Sequence, residues 1–216
     1  MPKLVVRAFA VSIDGFSAAP GQTLQAPFGK DGLRLMNWFF PTQFFKTMTR
    51  QPTAGETGLD NDMVTKAEHG IGATIMGRNM FGPERGPWAN EDWKGWWGEE
   101  PPYHHPVFVL SHHAHSRFEM KGGTSFTFVN DGIESALKQA FEAAKGKDVR
   151  IGGGASTVRQ YWKAGLIDEL HLVQVPVLFG QGERVFEGLG GIEDKYEVAE
   201  FTPSKAVTHL RIVKKA

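Results

Sequence analysis

Three successive glycines, Gly152 to Gly154, follow a short apolar stretch and precede a segment with helical periodicity. Residues without a Cβ atom allow a ligand to lie directly against the main chain. The unpaired N–H groups at the start of a helix and the positive end of its dipole both attract anions. We therefore predict a phosphate site formed by this turn and the residues after it, Ala155, Ser156 and Thr157. The alternative is that the glycines form only a tight turn.

The same turn matches the dinucleotide fingerprint G-x-G-x-x-G only in part. Gly152 and Gly154 fit the pattern, but Thr157 stands where the third glycine is required. The next apolar segment does not end in the acidic residue that binds a ribose in such domains. An ordinary Rossmann domain is therefore disfavoured.

Two further apolar segments end in residues that suit an anion. One is followed by Gly77, Arg78 and Asn79, and the other by Ser111 and His112. A guanidinium group beside a glycine can clamp a phosphate, because it offers two parallel donors while the glycine admits a close ligand. Taken alone, Arg78 is explained equally well as a surface arginine at the start of a helix.

The elements that must position these residues are predicted from hydrophobic periodicity. Continuous or alternating apolar runs predict strands, and an apolar stripe over residues 132–145 predicts an amphipathic helix. A second helix begins at Ala155 and is ended by Gly165. The predicted strands cover residues 4–13, 73–76, 107–110, 126–129, 149–151, 169–177, 196–202 and 207–213. The last two form an antiparallel hairpin, so that the fold class is α/β with a mixed sheet.

Composition excludes several classes of function. The 216 residues fit a single domain, and 24 basic residues balance 24 acidic ones, which gives no electrostatic footprint for nucleic acid. No apolar run reaches the length of a membrane span. Cysteine is absent, and the clustered histidines at 112, 113 and 115 lack a zinc spacing, so we predict no metal site and a cytoplasmic location.

Two segments are so rich in aromatic residues that their side chains must be shielded from water. Residues 33–45 are too aromatic to face water, so they pack on the core or line a pocket. Residues 82–106 contain four tryptophans and must fold back on the domain or meet a partner. This segment and the strand Leu170 to Val177 together offer more apolar surface than one small domain readily covers. We therefore predict a homodimer.

Four motifs occur in order along the chain: Ala8 to Gly15, Ile75 to Phe81, Val109 to Ser111 and Ile151 to Gly154. Together they resemble the dihydrofolate-reductase-like superfamily, and more closely the reductase domain of the bifunctional riboflavin-biosynthesis deaminase-reductase. The resemblance runs from the first strand to the last. It implies a three-layer fold with a mixed, mainly parallel central sheet, flanking helices and a C-terminal antiparallel hairpin.

The resemblance also implies that NADPH binds across the strand ends. The backbone around Ala10 and Ile13 would then meet the nicotinamide. The pyrophosphate would meet Gly77 and Arg78, with Asn79 beside them, and the segment from Gly152 to Thr157. Ser111 and His112 would lie near the adenosine 2′-phosphate.

The candidate catalytic residues are two carboxylates. Asp14 lies in the loop after the first strand, and Asp62 flanks Asn61, the position at which the folate enzymes carry a single carboxylate. Helix capping is the preferred explanation for Asp60 and Asp62, because it requires no further assumption. Phe16 stands where the riboflavin-pathway reductases have a lysine, which weakens the case for a phosphoribosylaminopyrimidine substrate.

These observations favour an oxidoreductase that moves hydride from NADPH to a small, flat, pterin- or aminopyrimidine-like heterocycle. Because the zinc deaminases need paired cysteines, the chain holds at most the reductase half of the bifunctional enzyme. Two alternatives stay open. One is an NADPH-binding module without turnover, and the other is an oligomeric interaction protein that uses its tryptophan-rich loop.

Overall fold

The computed structural model describes residues 1–82, 85–90 and 92–215. Within them, the apolar runs of the sequence form one nine-stranded sheet. The strands are β1 (Leu4–Ser12), β2 (Ile71–Gly77), β3 (Pro106–Leu110), β4 (Phe118–Glu119), β5 (Ser125–Val129), β6 (Asp148–Gly153), β7 (Glu169–Val175), β8 (Tyr196–Pro203) and β9 (Thr208–Lys214). Their order across the sheet is β4-β5-β3-β2-β6-β1-β7-β9-β8.

The sheet is mixed and mainly parallel. Strands β5, β3, β2, β6, β1 and β7 pair in parallel, so their carboxyl ends meet at one edge. Strand β4 pairs antiparallel with β5, and β9 pairs antiparallel with both β7 and β8. The predicted sheet and its C-terminal antiparallel hairpin are confirmed.

Helices cover both faces of the sheet. They are α1 (Gln43–Met48), α2 (Leu59–Glu68), α3 (Arg78–Phe81), α4 (Ile133–Ala144) and α5 (Ala155–Lys163), with short 3₁₀ turns at Gly32–Met36, Lys121–Gly123 and Ile192–Asp194. Successive side chains of β1 point to opposite faces of the sheet and therefore pack against different helices. Phe9 and Val11 pack in the core cluster that contains α4 and α5, whereas Ala10 packs with Val64 of α2. No helix in the described ranges is long and apolar enough to cross a bilayer.

Strand β1 carries a bulge at its middle. The pairing register with β7 shifts between Val6 and Phe9, and Ala8 adopts a left-handed conformation with φ of 48°. A bulge redirects the side chains that follow it. It therefore sets how Ala10 is presented on the α2 side of the sheet.

The tryptophan-rich segment folds back on its own domain. Trp93 and Trp96 donate their indole N–H groups to the carbonyl oxygens of Phe81 and Met80, each at 2.9 Å. Trp88 donates to the carbonyl oxygen of His113 at 3.1 Å. Three positions of this segment, 83, 84 and 91, lie outside the described residues.

The reasons given for a homodimer therefore need correction. The described tryptophans at 88, 93 and 96 make intramolecular contacts, and β7 is an internal strand between β1 and β9. These parts of the two surfaces are covered within the domain, and Trp97 is the described tryptophan of the segment that stays 42% exposed. The homodimer therefore remains a prediction, but the apolar surfaces of the tryptophan-rich segment and of β7 no longer argue for it.

The helix-capping interpretation of Asp60 and Asp62 is wrong. Helix α2 begins at Leu59, before both carboxylates; its N-cap is Gly58, and no side chain caps it. Asp62 lies in the first turn with its side chain exposed. Asp60 instead accepts hydrogen bonds from residues near the C-terminus, which are described below.

Candidate functional site

A cavity of about 1490 Å³ follows the carboxyl ends of the parallel strands and extends over the α2 face of the sheet. All the residues predicted to bind the cofactor line it, except Ile13. Strand order explains this convergence, because β3, β2, β6 and β1 are adjacent and parallel. Ligands of open α/β sheets bind at this edge of the strands.

The glycine turn joins β6 to α5, and its two last glycines differ in the space around them. Gly153 has a φ of 129°, and a Cβ atom there would lie 3.2 Å from both Met80 Sδ and Phe9 Cε2. A Cβ atom at Gly154 would meet nothing within 4 Å. Gly154 is the N-cap of α5, and no side chain caps the helix. The first N–H groups of α5 therefore have no intrahelical or capping partner, which suits a phosphate group.

Gly77 allows the end of β2 to touch the first turn of α5. A Cβ atom at Gly77 would lie 2.3 Å from Thr157 Oγ1, far closer than real contacts. Thr157 is buried, whereas Ser156 beside it is exposed. The glycine in the Gly77-Arg78 motif is thus needed first for packing between the strand and the helix.

Arg78 follows at the start of α3 and lines the same cavity. Its guanidinium group lies 3.5 Å from the centroid of the Trp88 ring, and Nη1 donates to the carbonyl oxygen of Gly86 at 2.6 Å. These two contacts hold the positive charge of Arg78 on a defined support after the carboxyl end of β2. The arginine is therefore positioned by the tryptophan-rich segment as well as by its own helix.

Ser111 and His112 follow β3 at the next strand end. Ser111 is buried, and its Oγ both accepts from the N–H of His113 and donates to the carbonyl oxygen of that residue. His112 is exposed. Because the Ser111 hydroxyl is already used in hydrogen bonds within its own turn, the exposed His112 is the side chain at this strand end that can contact a ligand.

The two candidate catalytic carboxylates do not line the cavity. Asp14 accepts hydrogen bonds from Ser12 Oγ and from the backbone N–H groups of Phe179 and Gly180. Desolvation opposes the charge of Asp14, but these bonds outweigh it and lower the pKa of the carboxyl group. Asp14 therefore joins the loop after β1 to the loop after β7. Among the described residues, the carboxylates that do line the cavity are Glu68, which is paired with Arg150, and Glu183.

A hydrogen-bonded chain crosses the sheet beneath the cavity. The N–H of Ala8 donates to His171 Nδ1 at 3.3 Å, His171 Nε2 lies 2.9 Å from His209 Nδ1, and His209 Nε2 lies 2.8 Å from Asp60 Oδ1. Burial, with a smaller contribution from His209, lowers the pKa of His171 to about 4. The neutral ring accepts at Nδ1, so it donates from Nε2, and His209 in turn donates to Asp60. The chain ties the β1 bulge to β7, β9 and α2.

Sequence patterns did not indicate this hydrogen-bonded chain, because the two residues of its widest hydrogen bond, Ala8 and His171, are 163 positions apart. Histidines at alternating apolar positions of β7 and β9 were the available signal, since a buried imidazole needs a partner. The aromatic residues 33–45 were noted for their composition, and their place on a pocket wall is now defined. The described residues hold no group of three or more side chains placed to bind a metal.

Comparisons with curated proteins find short matches. The chain is 29% identical over 92 residues to the uncharacterized protein YyaP of Bacillus subtilis (strain 168). It is 35% identical over 63 residues to YwjB of the same organism. These matches cover 41% and 29% of this chain, and 48% and 36% of the two relatives. The chain thus spans about half, or less, of the length of the curated relatives it matches.

Solved structures resemble the whole chain. A protein of Shewanella sp. PV-4 named for riboflavin biosynthesis aligns over 100% of both chains with 21% identity and a TM-score of 0.57. Dihydrofolate reductase from Enterococcus faecalis, complexed with NADP(H), aligns over 99% of this chain and 97% of its own with 15% identity and a TM-score of 0.53. The bifunctional pyrimidine deaminase and uracil reductase of Thermotoga maritima aligns over 99% of this chain and 57% of its own, with 15% identity and a TM-score of 0.54.

These similarities show the fold, which is the dihydrofolate-reductase-like arrangement expected from the four motifs. The family model described as the RibD C-terminal domain matches residues 3–210, from the first strand into the last. That range includes the glycine turn, the Gly77-Arg78 motif and Ser111. The chain therefore belongs to the RibD C-terminal domain family.

Proposed function

We propose that this protein is an NADPH-dependent oxidoreductase that reduces a small, flat heterocycle of the pterin or aminopyrimidine type. One observation carries the proposal. The uncapped start of α5, the Gly77-Arg78 motif and the Ser111-His112 turn line one cavity at adjacent strand ends. Three anion-binding features in one cavity suit a ligand that carries more than one phosphate group. NADPH is such a ligand, because it has a pyrophosphate and a 2′-phosphate.

Each part of the cavity has a proposed role toward the cofactor. The backbone from Gly152 to Thr157 would bind the pyrophosphate, with Arg78 supplying a positive charge beside it. His112 would meet the adenosine 2′-phosphate. The fit rests on the open space at Gly154 and on the unpartnered first turn of α5.

The cofactor would supply a hydride, and the substrate would also take up a proton. What the chain contributes is binding, orientation and exclusion of water. Ala10 lies where the bulged strand β1 meets the cavity, and Phe9 packs beside Gly153 on the other side of the strand. Ile13 is exposed at the end of β1, outside the cavity lining, so its contact with the nicotinamide is the weakest of the proposed roles.

One observation favours a second candidate, the NADPH-binding module without turnover. Asp14 and Asp62, proposed as catalytic residues, are both outside the cavity lining, and Asp14 is held by three hydrogen bonds. A proton donor must come within hydrogen-bond reach of the substrate. If neither carboxylate does so, water must deliver the proton or turnover is absent.

The test combines cofactor titration with a substrate panel. We expect quenching of tryptophan fluorescence by NADPH at micromolar concentration, with weaker binding of NADH. We then expect NADPH oxidation with at least one member of a panel of pterins, pyrimidines and quinones. Absence of NADPH binding would refute both candidates, whereas binding without oxidation across the panel would support the second.

Substitution of the two carboxylates sharpens this test. If Asp14 or Asp62 donates the proton, Asp14→Asn or Asp62→Asn should lower kcat by about 100-fold or more without changing NADPH affinity. Unchanged kcat in both variants would remove the two residues from the mechanism. Asp14→Asn needs a melting curve beside it, because its hydrogen bonds join two loops.

A further inference from the structure

A cluster of polar side chains lines the cavity well away from the strand ends. We define the polar cluster as Glu68 at the end of α2, Tyr103 and His105 before β3, and Arg150 on β6. Arg150 precedes Gly153 by three residues, which is about 10 Å along a strand. The polar cluster is therefore separate from the glycine turn, and no role toward the cofactor has been given to it.

Hydrogen bonds hold the polar cluster on the α2 face of the sheet. Arg150 Nη1 donates to Glu68 Oε1, which joins β6 to α2. Thr74 of β2 is the register neighbour of Arg150, and its Oγ1 lies 2.8 Å from His105 Nε2. Because two strands and a helix fix these side chains, they suit a recognition role that a mobile group could not fill.

Arg150 has more hydrogen-bond donors than partners. The bond to Glu68 is the one that its guanidinium group makes with the described part of the chain. Nε is sealed from solvent without a partner, whereas Nη2 also makes no hydrogen bond but is not sealed. Since the side chain is 11% exposed and lines the cavity, Nη2 is the donor that a ligand can reach. Unmet donors on a buried cation are costly, and a bound acceptor would satisfy this one.

The charges around the polar cluster favour an anion. Glu68 formally neutralises Arg150, but the Glu68 side chain is 38% exposed, so water screens its charge more than that of the buried Arg150. Lys147 lines the same part of the cavity and adds a second cation. Burial and, after it, the charge of Arg150 lower the pKa of His105 to about 4. His105 is therefore neutral at pH 7 and leaves the balance unchanged.

The size of the negative charge that fits here is that of a carboxylate. With one carboxylate bound, Arg150 and Lys147 would balance Glu68 and the ligand. A phosphate group brings a larger negative charge beside Glu68 and would be repelled more strongly. A planar carboxylate also matches the planar guanidinium group.

We propose that the substrate carries a carboxylate group that accepts a hydrogen bond from Arg150 Nη2. This inference rests on the proposed function, whose substrate it narrows to compounds with a negative charge about 10 Å from the glycine turn. It makes Arg150 a substrate-binding residue. The competing explanation is that Arg150 serves only to join β6 to α2 through Glu68.

Two probes of the same shape test the inference by equilibrium titration. Pterin-6-carboxylate carries the charge, and pterin-6-carboxamide replaces it with a neutral group. With NADP⁺ present, so that no turnover occurs, we expect the carboxylate to bind at least about tenfold more tightly than the carboxamide. Equal binding of the two probes, or no measurable binding of the carboxylate, would overturn the inference.

Substitutions of the two paired residues should have opposite effects. Arg150→Gln should weaken pterin-6-carboxylate about tenfold or more and leave the carboxamide within about twofold. Glu68→Gln should strengthen the carboxylate about two- to fivefold, because it removes a like charge beside the ligand. Arg117→Gln is the control, since Arg117 is paired with Glu119 and does not line the cavity, and it should change neither affinity.

A double variant keeps the test valid if a single substitution prevents folding. Arg150→Gln combined with Glu68→Gln leaves neither charge unpaired, and it should also bind the two probes alike. Melting curves are recorded for every variant. If Arg150 only joined β6 to α2, the single variants would melt earlier while the preference for the carboxylate stayed as in the wild type, and the inference would be wrong.

Titrations without nucleotide, with NADP⁺ binding measured alone, separate this inference from the proposed function. A preference for the carboxylate that depends on Arg150, together with no NADP⁺ binding, would overturn the proposed cofactor and support the carboxylate site. NADP⁺ binding without a preference between the probes would support the cofactor and overturn the carboxylate site.

Discussion

Gly154→Ala is expected to separate cofactor binding from stability. Gly154 has φ of −77° and ψ of −166°, a conformation that alanine adopts readily. An added Cβ atom would meet nothing within 4 Å. The free energy of unfolding should therefore change by no more than about 0.5 kcal/mol, as for a substitution that makes no new contact.

The same methyl group should interfere with a bound phosphate. It would project into open space at the N-cap of α5, where the unpartnered N–H groups converge. A phosphate displaced from one of these groups loses a charge-assisted hydrogen bond, worth about 1.5–3 kcal/mol. We therefore expect the Kd for NADPH to rise by about 10- to 150-fold.

Two other glycines provide the comparison. Gly153→Ala should change both the free energy of unfolding and the Kd for NADPH. The φ of 129° and the contacts at 3.2 Å to Met80 and Phe9 would strain the folded state by more than about 1 kcal/mol. Gly190 is the matched control, since a Cβ atom there also meets nothing within 4 Å and the residue does not line the cavity. Gly190→Ala should change neither stability nor affinity.

The assay measures Tm and the Kd for NADPH on the same preparation of each variant. Calorimetric titration gives the Kd, and a thermal melt followed by circular dichroism gives the Tm. Wild-type affinity in a normally folded Gly154→Ala variant would refute a phosphate at the start of α5. The glycine turn would then be a connection between β6 and α5 and nothing more.

Three further predictions follow from the strand ends and the buried histidines. Arg78→Ala should raise the Kd for NADPH and for NADH alike by about 10-fold or more in calorimetric titrations, because both nucleotides carry the pyrophosphate beside which Arg78 is placed; an unchanged Kd would contradict that contact. Gly77→Ala should lower the free energy of unfolding in urea by about 1–3 kcal/mol, because its Cβ atom would meet Thr157 Oγ1 at 2.3 Å. Adding Thr157→Ala should recover part of that loss, and strict additivity would contradict the clash. Burial lowers the pKa of both His171 and His105 to about 4, so the unfolded chain binds more protons below pH 6.5. Urea unfolding should show stability falling from pH 6.5 to 4, by at most about 3 kcal/mol for each histidine, and a flat profile would refute this.

The parts of the fold that depend on local sequence were predictable. Strands such as Ala73 to Met76 and Val107 to Leu110 are short, continuous apolar runs, and both lie within strands of the structure. The glycine turn before Ala155 and the left-handed Gly165 after α5 were recognised because backbone geometry restricts which residues fit. The candidate anion site could be inferred for the same reason.

The parts that depend on distant residues were not predictable in the same way. Asp60 had the spacing of a helix cap, yet its partners His209 and Ser204 belong to the C-terminal hairpin. Asp14 had the position of a catalytic loop residue, yet it is held by Ser12 and by the backbone after β7. The sequence around an aspartate is the same whether the carboxylate caps a helix, takes part in catalysis or joins two loops. What distinguishes these roles is the hydrogen-bond partner, which lies far away in the sequence.

The position of β1 has a consequence for synthesis of the chain. It precedes the other described strands along the chain, but it lies between β6 and β7, and the N–H of Lys3 donates to Asp148 Oδ1, 145 residues later. At about 5–20 residues per second, a ribosome needs roughly 7–30 s to make that interval. During this time the apolar residues Leu4 to Val6 have no strand to pair with. A nascent chain thus exposes the unpaired edges of β1 until β6 has been translated, which makes chaperone contact with β1 during that interval advantageous.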